Sequence, residues 1–239
     1  MSKKVVYVGK DLEAMSFAVN YHKWILEEFR PFLGKKLVEV GAGTGSFSEM
    51  LINEKLENLA LVEPSGMFDF LEQNISQIET SVTVNYYNAI FSETADKLNA
   101  KPDTVIYVNV LEHIEDDRGE LQKVYETLET GGHCLIFVPA LMSLYGAFDE
   151  KVGHFRRYTK NELEEKARTA GFEIVKSNYF DFVGIFPWYI KYKLLKSDRL
   201  ESGVVTAYDK FAVPVTKQFE RFLKFPVGKN ILTVLKKQA

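Results

Sequence analysis

Cysteine is almost missing from this sequence: Cys134 is the only one in 239 residues. No intrachain disulfide can form and no thiolate cluster can hold a metal, which fits a reducing compartment, so a cytoplasmic protein is expected. No run reaches the ~18 apolar residues that a membrane-crossing helix needs. The opening stretch MSKKVVYVGKDLEAM has basic residues but no long apolar segment, so it does not read as a signal peptide. Charge of one sign is also lacking. At a net charge of −3, no global basic field draws the chain to nucleic acid. Internal repeats and low-complexity tracts are absent too. What remains is an ordinary globular composition, 46% hydrophobic and 26% charged. The length suits one domain, 1–239, with an elaboration.

Strands and helices alternate along the chain. Phe17, Tyr21, Trp24, Ile25 and Phe29 recur at mixed three- and four-residue spacing, which predicts an amphipathic helix over 11–30 within an N-terminal cover, 1–34. Pro31 should stop it. Strands are predicted at Lys36 to Val40, Asn58 to Glu63, Ser81 to Tyr86, Thr104 to Val110, His133 to Val138, Glu173 to Tyr179 and Asn230 to Leu235. Several are continuous apolar runs, as when helices cover both faces of a parallel sheet. Between them, Ser46 with Glu49 reads as a capping box, and so does Thr159 with Glu162. Ser65 reads as the cap of a helix through Asn74. Leu121, Val124 and Leu128 mark a helix face ending at Gly131-Gly132, and Gly171 closes the helix after Thr159. The predicted fold class is α/β, with a Rossmann-like, seven-stranded, mostly parallel sheet.

Glycines crowd the first strand-to-helix turn. "LVEVGAGTGSFSEML" places Gly41, Gly43 and Gly45 at every second position, with Ala42 between the first two and Glu39 two residues upstream. In doubly wound sheets that turn is where a nucleotide-like ligand lies against backbone without Cβ atoms. The dinucleotide spacing G-x-G-x-x-G is broken by Ser46, or by Ser48 when read from Gly43, which disfavours an NAD-dependent oxidoreductase. There is no phosphate-loop lysine. Glu63, followed by Pro64, ends the second strand, where a carboxylate can accept both hydroxyl hydrogens of a ribose.

Glu39-x-Gly41-x-Gly43-x-Gly45, Glu63, "DTVIYVNVLEHIED" at the fourth strand and "LETGGHCLIFVPA" together resemble the class I S-adenosylmethionine-dependent methyltransferases, across about residues 20–180. The resemblance implies an antiparallel last strand and S-adenosylmethionine as cofactor. Gly41, Gly43 and Gly45 would lie under its methionine and ribose, with Ala42 in the same turn. Glu63 would hold the ribose hydroxyls beside Pro64. Asn88, with Ala89 after it, stands where the family often has an acid near the adenine amine. Asn109 and Val110 would line the methionine end. Glu39 would meet the ammonium through water, or only brace the turn. The family's amino-methylating DNA and glutamine enzymes carry an Asn/Asp-Pro-Pro-aromatic tetrad where this chain has Asn109-Val110-Leu111-Glu112. Its cytosine enzymes need a Pro-Cys nucleophile, which Cys134 does not supply. His113 matches a common family tetrad and reads as structural more than catalytic.

"YGAFDEKVGHFRRYTKNELEEKARTAGF" precedes the sixth strand, at the sheet edge where loops line the ligand crevice. It resembles a subgroup of bacterial methyltransferases with mostly unassigned acceptors. His154 is the candidate base for a hydroxyl acceptor, with Asp149 as an orienting partner. Arg156 or Arg157 could hold an acidic group on the acceptor, and Asp149 and Tyr158 are further candidate acceptor contacts. In an extended segment adjacent arginines point apart, so at most one faces the site. A purely structural network is the competing reading.

The last feature is an insertion at 181–228, opening with "DFVGIFPWYIKYKLLK". It can pack as core, contact a second subunit, lie on a membrane surface, or roof an acceptor pocket with Trp188 and Phe186. Pro187 predicts a helix start near Trp188. The expected function is methyl transfer to a small-molecule, apolar or lipid-linked acceptor, with oxygen favoured over nitrogen and no metal. The alternative is a non-catalytic cofactor-binding regulatory partner. The oligomeric state is not legible.

Overall fold

The computed structural model describes residues 18–238. The start of the expected cover, including Phe17, lies outside the described residues. The seven expected strands fold as β1 (Lys36–Val40), β2 (Asn58–Val62), β3 (Thr83–Tyr87), β4 (Thr104–Val108), β5 (His133–Pro139), β6 (Glu173–Phe180) and β7 (Asn230–Lys236). They form one sheet in the order β3-β2-β1-β4-β5-β7-β6. β7 runs antiparallel to both of its neighbours, and β1 to β5 pair in parallel.

Side chains of each strand alternate between two cores. Leu37, Leu59, Leu61, Ile106 and Leu135 join one; Val38, Val40, Val62, Val105 and Cys134 join the other. The first core is covered by α1 (Val19–Phe29), α2 (Ser48–Ile52) and α3 (Phe68–Ser76). The second is covered by α4 (Asp117–Thr127) and α6 (Lys160–Thr169), with α5 (Ala147–Val152) in the loop before α6. Pro31 sits in a single 3₁₀ turn, Arg30–Phe32, that ends the α1 region.

The insertion is helical. α7 (Ile185–Trp188) continues as a π-helical stretch, Tyr189–Leu194. α8 (Ser202–Ala207) leads through a second π-helical stretch into α9 (Val213–Phe222). Pro187 falls in the first turn of α7, two residues after the start, where its missing N–H is harmless. The insertion is fastened to α1. The Asp209 carboxylate accepts the Asn20 amide at 3.0 Å and the Tyr21 amide at 2.8 Å, satisfying donors at a helix start. Tyr21 Oη also donates to Asp181 Oδ2 at 3.1 Å. Among the described residues no helix is long and apolar enough to cross a membrane.

Three local expectations change. The Ser46–Glu49 box does not form: α2 starts two residues later, and the Glu49 amide is taken by the Gly45 carbonyl at 2.9 Å. The glycine turn uses the chain through Phe47, so Ser46 is still inside it. Ser65 Oγ accepts the Met67 amide, closing the turn before α3 instead of capping the helix. β4 stops at Val108, because Asn109 adopts φ +55° and leaves the sheet. The Thr159 cap is present, with Oγ1 accepting the Glu162 amide at 3.3 Å.

Candidate active site

Two groups of side chains meet at the carboxyl edge of the sheet. The first is a groove over the ends of β1, β2 and β4. Gly41 (φ +71°) donates its N–H to the Val62 carbonyl at 2.7 Å, and a Cβ there would lie 2.4 Å from a Val110 methyl. Only glycine permits that approach. Gly43 (φ +59°) has the opposite surroundings: no atom lies within 4 Å of where its Cβ would stand. Its amide donates to Glu63 Oε2 at 2.8 Å, while the Ser65 amide donates to Oε1 at 2.9 Å. Glu63 is thus buried and fixed from the protein side, with lone pairs left on both oxygens. Gly45 packs on Ile75 and Leu71, and Ala42 is buried in the same turn. Pro64 and Ala89 are half-buried, and Asn88 is exposed past the end of β3. Glu39 lies beneath the turn, where Oε2 accepts the Ser48 hydroxyl at 2.5 Å. Burial pushes its carboxyl up to about 8.

The second group surrounds His154. Its Nδ1 is 2.7 Å from Asp149 Oδ1, and its Nε2 is 3.8 Å from Glu112 Oε1. The Arg157 guanidinium also grips Asp149, with Nε to Oδ1 at 2.8 Å and Nη2 to Oδ2 at 3.1 Å. Asp149 further accepts the Gly146 amide, which starts α5. Burial alone would raise the Asp149 carboxyl, but His154 and Arg157 outweigh it and hold it below the ordinary range. Glu112 is fully buried, and burial pushes it up to about 7. The His113 ring meets that of His154 edge-on at 4.5 Å, and burial lowers its pKa to about 3.

Glu112, His113, His154 and Arg157 of this cluster line a chamber of about 230 Å³, together with Asn109. The insertion supplies much of the wall, including Trp188, Tyr192, Val205, Tyr208 and Val213, and Phe148 of α5 joins it. Arg157 lies over the Trp188 ring at 4.7 Å, and Phe148, Trp188 and Tyr192 pack together with ring centroids 4.3–5.5 Å apart.

A methyltransferase-domain family model matches residues 18–177. The chain belongs to this methyltransferase family. It is 27% identical over 109 residues to a ubiquinone biosynthesis O-methyltransferase of Erwinia tasmaniensis, covering 46% of this chain and 44% of that one. A protein of the same name from Pseudomonas aeruginosa strain UCBPP-PA14 is 23% identical over 164 residues, covering 63% and 69%. The chain therefore spans less than half the length of the first curated relative it matches. Among solved structures, a SAM dependent methyltransferase from Archaeoglobus fulgidus superposes with a TM-score of 0.61 at 20% identity, covering 92% of this chain and 94% of that chain. The fold is that of class I methyltransferases, and the cofactor is S-adenosylmethionine.

The groove suits that cofactor. The open flank of Gly43 offers a surface without side chain, and Glu63, anchored by two amides, keeps lone pairs of the kind a ribose diol needs. The methyltransferase departs from expectation at Arg156 and Tyr158, both read as acceptor contacts. Arg156 points away from the chamber, with Nη1 2.7 Å from Asp117 Oδ2 and 2.9 Å from the Ile114 carbonyl. Tyr158 is fully buried in the second core, its hydroxyl donating to Asp117 Oδ2 at 2.8 Å. The segment is extended, so its side chains alternate, and Arg157 is the one that faces inward. Asp149 does not line the chamber but holds two residues that do. Glu112 was not singled out from the sequence; its only signal is its place beside His113.

Proposed function

We propose that this enzyme methylates a hydroxyl of an apolar, small or lipid-linked acceptor, acting as a single domain whose insertion roofs the acceptor chamber. S-adenosylmethionine supplies a methyl group on a positively charged sulfur. The chain must hold the acceptor, keep water out and give the hydroxyl proton an outlet. Gly41, Gly43, Glu63 and Asn109 hold the cofactor, with Asn88 and Ala89 at the adenine end. The aromatic and aliphatic wall from Phe148 to Val213 receives the acceptor.

The observation that carries the oxygen reading is the Asp149–His154 pair. Nδ1 of His154 is committed to a buried carboxylate, which fixes the ring and turns Nε2 toward Glu112 in the chamber. An amine acceptor that binds neutral needs no such outlet. The names of the curated relatives point the same way. The test is transfer of labelled methyl from S-adenosylmethionine into a bacterial lipid and metabolite extract. A methyl ether in the organic phase is expected; label only in polar amines would overturn the reading. In the same assay His154→Ala should lower turnover roughly 10²–10⁴-fold while cofactor affinity stays unchanged.

A further inference from the structure

Glu112 poses a problem that the groove and the His154–Asp149 pair leave unsolved. Its side chain is fully buried, and neither carboxylate oxygen has a hydrogen-bond partner. A buried polar group without a partner costs about 1–3 kcal/mol, more when charged. Glu112 also lines the chamber and is surrounded by ligand chemistry. One carboxylate oxygen of Glu112 and one ring nitrogen each of His113 and His154 all lie within 4.8 Å of one another.

We propose that Glu112, His113 and His154 bind a divalent transition-metal ion in the acceptor chamber. Two imidazoles and one carboxylate are the donor set of zinc sites that keep a position open, and of related iron and manganese sites. At metal–ligand distances of about 2.0–2.2 Å, tetrahedral ligand atoms stand about 3.3–3.6 Å apart. The 3.8 Å between His154 Nε2 and Glu112 Oε1 is close to that value. The supporting shell is already built. A metal-bound histidine characteristically donates its other N–H to a carboxylate or a carbonyl. His154 has Asp149 at Nδ1. The Glu112 carbonyl accepts the Phe155 amide at 2.9 Å, tying the two ligand-bearing segments together.

Charge supports the assignment. Arg157 balances Asp149, so the ion's two charges meet Glu112 and one further anion. That anion would be the acceptor oxygen in the open position, its hydroxyl made acidic by the ion and its proton passing to water. The inference rests on the proposed hydroxyl acceptor and changes the role of His154: with Nε2 on the ion it acts as a ligand, and water takes the proton in its place.

The test uses full-length protein stripped with a chelator and titrated with Zn²⁺ by calorimetry, with Co²⁺ as an optical probe and Mg²⁺ for comparison. One Zn²⁺ per chain is expected, with visible Co²⁺ bands of a low-coordinate nitrogen–oxygen site. Glu112→Gln and His154→Asn should each weaken Zn²⁺ binding at least 10-fold and abolish the Co²⁺ bands. Asp149→Asn should weaken it 10–100-fold through His154. Equal Zn²⁺ affinity in parent and Glu112→Gln would place the ion elsewhere and overturn the proposal. So would full methyl transfer by stripped protein in the presence of chelator, which would leave His154 as a free base. S-adenosylmethionine binding by the stripped protein is measured in parallel, so loss of the metal site and failure of the methyltransferase reading remain separable.

Discussion

Single carboxylates decide most of what happens here, and their surroundings separate them. Glu63 is anchored by the amides of Gly43 and Ser65. Glu63→Ala should weaken S-adenosylmethionine binding by about 1.5–3 kcal/mol as charge-assisted hydrogen bonds to the ribose vanish. Melting temperature should fall as well, since two amides lose their acceptor. Unchanged affinity by calorimetry would remove Glu63 from the cofactor site. Glu39 behaves differently because it is buried against a neutral hydroxyl. Its folded-state pKa of about 8 stands above the ordinary 4.5, so the folded protein keeps this proton at pH values where the unfolded chain has lost it. The stabilising contribution is complete below pH 4.5 and is lost as pH rises through 8. Glu39→Gln should therefore match the parent near pH 5 and become the more stable of the two near pH 9. Denaturant midpoints at both pH values test this, and equal differences at both would refute it.

Among the elements, strands were the legible part. Cys134 to Val138 is buried on both faces, so it stands out as an unbroken apolar run between turn residues, and Leu37 to Val40 is a similar run broken only by Glu39. The glycine turn was legible because three glycines in five residues weaken any regular element. α5 was not: six residues containing Asp149, Glu150 and Lys151 are too short to show a period, although Gly146 and Gly153 bracket them. The choice between Arg156 and Arg157 depends on the register of an extended segment, which no local pattern records. Glu112 was hidden for the opposite reason: nothing about a lone acid announces complete burial. The aromatic helix proved two-sided. Trp188 turns inward onto Phe148 and Arg157, whereas Phe186 is 57% exposed. Trp188→Ala should raise the acceptor KM several-fold and cost about 2 kcal/mol or more of stability. Phe186→Ala should change stability by less than about 0.5 kcal/mol. Equal effects of the two on melting and on KM would remove the distinction between wall and outer surface.

For the molecule as a whole, the outer surface of the chamber roof bears on where the acceptor comes from. Phe211, Val215, Phe219 and Phe222 are exposed along the π-helical stretch and α9, as are Ile190, Leu194 and Leu195 after α7. Residues 181–228 hold eight Lys and Arg against five Asp and Glu, in a chain of net charge −3. Two of those acids, Asp181 and Asp209, are buried. An apolar surface set among cations matches the interface of an anionic bilayer. The protein should co-sediment with vesicles containing anionic phospholipid more than with zwitterionic ones. Phe219→Ser with Phe222→Ser should abolish that difference while cofactor affinity is kept. Equal sedimentation with both vesicle types would argue against membrane docking.

The position of β7 carries a consequence for the order of events during synthesis. This strand lies between β5 and β6, both translated before it. Until residues 230–236 leave the ribosome, β5 and β6 have no shared partner and that half of the sheet stays open. The groove on β1, β2 and β4 has its neighbours in place much earlier. A nascent chain thus completes the strands beneath the glycine-rich groove before it completes the lining of the chamber, which includes Lys229 and Asn230. Emergence of residues 230–236, not synthesis of the glycine turn, is the event that closes the β5–β7–β6 half of the sheet.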